Sequence, residues 1–264
     1  MCALSIIIGH AQSADYMQLV QQADSAISHS DWLMAERLLI RALDTEPDNQ
    51  GNVMLISNLG MVRFYQGADS IAIKTLTQAV EMAPESHTVR SNRARVYAAT
   101  GHQCEALDDY SYLIAADSTL SEPLLYHGII SMDMGDIETA GKDFHRLEQL
   151  APDALDTHIA LASYYTSIGA PTKAIAHYSR LIELSPDPLY YGERAVLYMM
   201  TGRLTEASAD IADGLSLDPS DGMLYLYRAV YNKMCYRPDD MRHDVELAVK
   251  YGVDKARIKQ LGLD

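Results

Sequence analysis

Apolar and small residues recur along the chain at helical spacing, and the whole arrangement repeats. The clearest copy is 155–186, LDTHIALASYYTSIGAPTKAIAHYSRLIELSP. With Leu155 as position 1, Leu161, Ala162 and Tyr165 stand at positions 7, 8 and 11, one stripe of a helix A. Gly169 at position 15 predicts its end, because glycine takes a left-handed C-cap without steric cost. Pro171 and Thr172 open a helix B whose stripe is Ala174, Tyr178 and Leu181, at positions 20, 24 and 27. Pro186 at position 32 cannot continue a helix and turns the chain into the next unit. Small residues at 8 and 20 opposite large ones at 11 and 24 predict two closely packed antiparallel helices.

The same register runs along most of the chain. A first unit at 16–49 places Ala23, Ala35, Leu39, Ala42 and Pro47 in their slots, and a short insertion separates it from 53–86, with Leu59, Gly60, Gly67, Ala72, Leu76, Ala79 and Pro84. The unit at 87–120 has Ala94, Tyr97, Gly101, Ala106 and Tyr110, and that at 121–154 has Gly128, Gly135, Ala140, Phe144 and Pro152. After 155–187, the unit at 188–221 has Ala195, Tyr198, Gly202, Ala207 and Pro219. The pattern decays over 222–252, where Arg228 and Ala229 fit but Met241 replaces the expected alanine. Residues 253–264 predict a short capping helix with Asp254 at its N-cap. An atypical last unit suits a solenoid, whose end meets water.

This pattern resembles the tetratricopeptide repeat: an aromatic at 4, Leu at 7, Gly or Ala at 8, Tyr at 11, Ala at 20, an aromatic at 24, Ala at 27 and Pro at 32. The copy at 155–186 departs at position 4, His158, and at position 27, Leu181. The resemblance covers 16–252 and implies a right-handed, all-α, superhelical solenoid of about seven helical hairpins plus a C-terminal cap. It also implies a non-catalytic scaffold for a protein or peptide partner.

Comparison of the units with one another exposes a charge pattern. Position 7 is Arg93, His127, Arg194 and Arg228 in four units, and position 23 of the same units is Asp109, Asp143, Asp210 and Asp244. Where position 7 is uncharged (Gln22, Leu59, Leu161), position 23 is Leu38, Thr75 or His177. Three Arg–Asp pairs and one His–Asp pair are expected between helices A and B, and guanidinium suits such half-buried bidentate pairing. The place of His127–Asp143 in this series makes it a structural pair.

In the resembling family, positions 2, 5, 9 and 12 of helix A point into a concave groove. Here they collect Met17, Val20, Met54, Met61, Phe64, Leu125, Ile129, Met132, Leu189, Val196, Met199, Leu226 and Val230. Thioethers adapt to varied shapes, so a methionine-rich apolar binding groove is expected. The alternative is that part of this set is core between neighbouring A helices. Arg95 and nearby Arg63 form a basic patch expected to face the same side and hold a ligand carboxylate.

Composition narrows the partners. The formal net charge of −15 over 264 residues argues against binding a nucleic-acid backbone. No apolar run is long enough to span a membrane. Cys2, Cys104 and Cys235 are odd in number and widely spaced with no CxxC pair, which reads as buried or free thiols rather than a disulfide framework or a zinc site. Residues 1–14, MCALSIIIGHAQSA, lie outside the repeat: an apolar run precedes a small-residue segment, but no basic stretch leads it. Two readings stand, a signal-peptide remnant with its start lost, placing the protein outside the cytoplasm (periplasmic or secreted), or a flexible or docking N-terminus of a cytoplasmic one. No phosphate loop, GxSxG elbow or HExxH is present. His145 and Glu148 have a chelating spacing but no companion carboxylates, so no cofactor or metal is expected. The other functional readings are a structural subunit of an extracytoplasmic assembly and, from a different class, a metal-binding or catalytic domain.

Overall fold

The computed structural model describes residues 13–263 and contains fifteen α-helices among them, with no strands. The chain divides into two compact units, 1–130 and 131–264, with the division inside α7. The first unit contains α1 (Ala14–Ser28), α2 (Trp32–Thr45), α3 (Asn52–Tyr65), α4 (Asp69–Met82), α5 (His87–Ala99), α6 (Gln103–Ala116) and most of α7 (Ser121–Asp133). The second contains α8 (Ile137–Leu150), α9 (Leu155–Ser167), α10 (Pro171–Leu184), α11 (Pro188–Met200), α12 (Leu204–Leu217), α13 (Gly222–Met234), α14 (Pro238–Lys250) and α15 (Lys255–Gln260). Within each unit, helices A and B pair as hairpins (α1 with α2, α3 with α4, α5 with α6; α9 with α10, α11 with α12, α13 with α14), and each hairpin packs on the next. This is an all-α repeat fold.

The turn glycines act as the spacing requires. Gly67, Gly101, Gly135, Gly169 and Gly202, all at position 15, have positive φ between 67° and 85°. The atypical first and last hairpins make the same turn without glycine: Ser30 (φ 56°) and Tyr236 (φ 57°) occupy that slot. The small-to-large matching also appears in the packing. Ala23, Ala35, Leu39 and Ala42 are sealed in the first hairpin's core, and Ala72, Leu76 and Val96 form a cluster across α4 and α5.

Two ends differ from the expectation. The first helix begins at Ala14, two residues before the repeat register, because the Ser13 hydroxyl accepts from the Tyr16 amide and caps it. The export-remnant reading rests mainly on residues 1–12, outside the described residues. After the first hairpin, α3 starts at Asn52, whose side chain is buried: it donates to the Glu46 carbonyl (2.6 Å) and accepts from the Tyr16 hydroxyl (3.1 Å). These bonds fold the inserted residues back onto the first hairpin. No helix among the described residues is long and apolar enough to cross a membrane.

Candidate functional site

Three hairpins carry an arginine–aspartate clasp. Arg93 Nε and Nη2 donate to Asp109 at 2.8 and 2.7 Å, and Arg194 does the same to Asp210 at 2.8 and 2.7 Å. Arg228 Nε reaches both Asp244 oxygens at 3.0 Å, and its Nη2 reaches Oδ1 at 2.6 Å. The aspartates are buried on helix B and the guanidiniums bridge from helix A, so the clasp fixes the two helices in register. The hydrogen bond from Arg194 to Asp210 raises the arginine's pKa against the opposing effect of burial. His127, on α7, places Nε2 3.1 Å from the Ser111 hydroxyl, and Asp143 is half-buried on α8. The two lie in different units, and their pairing remains an expectation of the sequence.

The clasps have partners that the spacing did not reveal. Arg90, one turn before Arg93, also donates to Asp109 at 2.8 Å, and Asn232 donates to Asp244 at 2.8 Å. In the second hairpin, Thr75 at position 23 accepts from Arg63 at 2.8 Å, while Arg63 Nε binds Glu36 at 2.9 Å. Arg63 is therefore drawn into a hairpin and is not a groove cation, which corrects the two-arginine patch; Arg95 alone of the two is exposed. At 155–186 a histidine pair takes the clasp's place, His158 Nδ1 lying 3.0 Å from His177 Nδ1. His158 is buried and its Nε2 lacks a partner. A buried orphan lone pair costs less than an orphan N–H, so His158 donates from Nδ1 and His177 accepts. Burial lowers the His177 pKa, Glu148 opposes this, and His158 and His145 add to the lowering. Neither ring nitrogen of His145 is free for a metal: Nδ1 donates to the Gly141 carbonyl at 2.5 Å and Nε2 accepts from the Tyr165 hydroxyl at 2.9 Å.

The apolar set predicted to line a groove separates into open and packed positions. Met17, Met54 and Leu189, at position 2, are exposed. Leu125, Ile129, Met132 and Val196 are half-buried. Val20 packs against the first core, and Met61 and Phe64 pack against the Ala72–Leu76–Val96 cluster. Met199 is 6% and Leu226 0% exposed. Met199 and Leu226 are therefore sealed rather than open to solvent, while Val20, Met61 and Phe64 are half-buried against their cores. Neighbouring A helices touch, α3 with α5 and α11 with α13, and positions 5 and 12 lie on the flanks that meet.

The second unit nevertheless holds an apolar cavity of about 710 Å³. Leu226 and Met199 lie against its base, and Val196, Met200, Tyr227, Val230 and Met234 form the walls from α11 and α13. The third wall is the C-terminal cap, through Asp254, Ala256, Arg257, Gln260 and Leu261. Met200 is 71% exposed. Burial, with help from Glu193, pushes the Tyr227 hydroxyl up to about 12, so it stays neutral and donates to Glu193 at 3.2 Å. The cap is firmly seated: Ile258 and Leu263 are buried against Leu226, and Lys233 donates to the carbonyls of Leu261 and Gly262 at 3.1 and 2.8 Å. Sequence reasoning missed Met200, Met234 and the whole cap wall. The available signal was the methionine directly before the interhelix turn in 188–221 and 222–252 alone.

Comparison with known proteins agrees with the repeat register. The tetratricopeptide repeat profile matches residues 155–188. A tetratricopeptide repeat protein of Parabacteroides merdae is 26% identical, with a TM-score of 0.70, over 95% of this chain and 99% of that one. The fold is shared with Pseudomonas aeruginosa PilF, at 19% identity and TM-score 0.62 over 79% of this chain and 91% of that one. It is shared too with YrrB, described as a TPR protein with an unusual peptide-binding site, at 17% identity and TM-score 0.60 over 71% and 97%. Such folds are generally non-catalytic scaffolds for protein–protein interaction. Repeat register, the profile match over one unit and the end-to-end likeness to the Parabacteroides protein all mark this chain as similar to the tetratricopeptide repeat proteins.

Proposed function

We propose that the chain is a non-catalytic interaction scaffold that captures an apolar peptide segment of another protein in the cavity between α11, α13 and α15. The observation that supports this reading most strongly is the cavity itself, about 710 Å³ of methionine-, valine- and leucine-walled space between two A helices and the C-terminal cap. Its volume falls in the range of specific ligand sites. Its walls combine rigid backbone with adaptable thioethers, so binding costs little ordering of the scaffold while tolerating variation in the captured side chains. The exposed Met17 and Met54 of the first unit extend the reading to a second apolar surface there.

Affinity capture with the intact chain and with Met200→Glu/Met234→Glu, read by mass spectrometry, tests the proposal. Both methionines are exposed, so the double variant is expected to keep its helical circular dichroism and urea midpoint. It is expected to lose the bound partner. Recovery of the same partner in the same yield overturns the reading.

A further inference from the structure

We infer that the occupant of this cavity is an apolar peptide segment followed directly by carboxylates, and that Arg257 of the C-terminal cap recognises those carboxylates. The inference rests on the scaffold reading above and adds the chemistry of the ligand.

The arginines of the A-helix clasps are consumed by the fold, since Arg93, Arg194 and Arg228 each spend their donors on a buried aspartate. Arg257 differs. It lines the cavity, is exposed, and has no ion-pair partner among the described residues. The nearest acid of the lining, Asp254, is committed elsewhere: its carboxylate accepts from the Ala256 amide at 2.8 Å and caps α15. Lys255 and Lys259 are exposed on the same short helix, and Lys250 stands at the end of α14. In a chain of net charge −15, this places a local concentration of positive charge beside its apolar cavity. The net negative charge of the chain disfavours an acidic ligand in general, and the cations of the cap offset that repulsion beside the cavity.

The geometry gives the recognition a direction. Val196, Met200, Val230 and Met234 receive the apolar side chains, and the guanidinium at the cap-side wall meets the carboxylates that follow them. A planar guanidinium pairs with a carboxylate bidentately, which fixes polarity as well as adding affinity. The cap can bear this role because Ile258 and Leu263 anchor it below and Lys233 ties its last turn to α13.

Two fluorescein-labelled peptides test the inference on the full chain by anisotropy: a Leu-Ile-Leu core followed by Glu-Glu, and the same core followed by Lys-Lys. The Glu peptide is expected to bind about tenfold tighter, with the gap narrowing as salt rises. Arg257→Gln, which keeps the side chain's reach, is expected to remove most of the difference, and Arg257→Glu to reverse it. Met200→Glu is expected to weaken both peptides. Equal binding of the two peptides with both lost in Met200→Glu overturns the charge preference and leaves the scaffold reading standing. Tighter binding of the Lys peptide overturns the inference, as does stoichiometric displacement of the Glu peptide by laurate, which would make this a lipid site. If neither peptide binds while partner capture remains sensitive to Met200→Glu/Met234→Glu, the inference alone falls. If capture is insensitive as well, both fall.

Discussion

Replacing Asp210 by alanine tests whether the clasps hold the hairpins. Asp210 receives two arginine donors at 2.7 and 2.8 Å, and the Arg194 and Asp210 side chains are only 16% and 6% exposed. Removing the carboxylate leaves a mostly desolvated guanidinium whose remaining side-chain bond is the one from Nη1 to the Ser179 hydroxyl at 2.9 Å. Breaking a buried pair from one side costs ~3–5 kcal/mol. The residual Ser179 bond and the partial exposure of Arg194 reduce this to roughly 2–4 kcal/mol, on the same scale. In a chain of this size that lowers the melting temperature by roughly 5–15 °C. Urea titration at several protein concentrations gives the free energy, provided the slope is unchanged. Replacing both partners, Arg194→Met with Asp210→Leu, removes the orphan charge and is expected to recover most of the loss, to within about 1 kcal/mol of the parent. A loss below about 0.5 kcal/mol for Asp210→Ala, the level of a surface pair, refutes the reasoning. So does a double replacement no more stable than the single one.

Further predictions follow from the turns, the packing and the histidine pair. Tyr236 is 93% exposed yet has positive φ, so Tyr236→Gly is expected to stabilise the last hairpin by about 0.5–1 kcal/mol, seen as a higher urea midpoint. In Gly60→Ala the new Cβ would stand 2.5 Å from Cγ of the sealed Leu76, so overpacking is expected to outweigh the gain in helix propensity, for a net loss of about 1 kcal/mol by the same titration. His177 is held neutral below its ordinary 6.5, so the unfolded chain takes up a proton first as pH falls. The stability present above that value should therefore decline from there down to the lowered folded pKa. His177→Asn should show a flatter change in urea midpoint between neutral and mildly acidic buffer than the parent, and an equal slope would contradict the pairing.

Fold legibility followed from repetition. A single Gly169 or Pro186 is weak, but recurrence of the same slots fixed the starts of α5, α7, α9, α11 and α13. The Arg–Asp clasps were readable because two positions on different helices change together from unit to unit. Arg90, Asn232 and the His158–His177 pair were not, because each occurs in one unit only and leaves no internal comparison. The apolar face was the least legible part. Position alone cannot separate Leu125, half-buried, from Leu226, sealed, since both stand at position 5 and only Leu226 is covered by Ile258 and Leu263 of the C-terminal cap. The cavity's cap wall comes from outside the repeat register, so no repeat pattern could announce Arg257 or Leu261.

The central claim, capture of an apolar segment between α11, α13 and α15, is tested most directly by the ε-methyl resonances of carbon-13-labelled methionines during titration with the Glu-tailed peptide. The account predicts saturable shifts for Met199, Met200 and Met234, which line the cavity, with Met82 and Met134 unmoved. Saturable shifts that spare those three methionines and appear elsewhere contradict it.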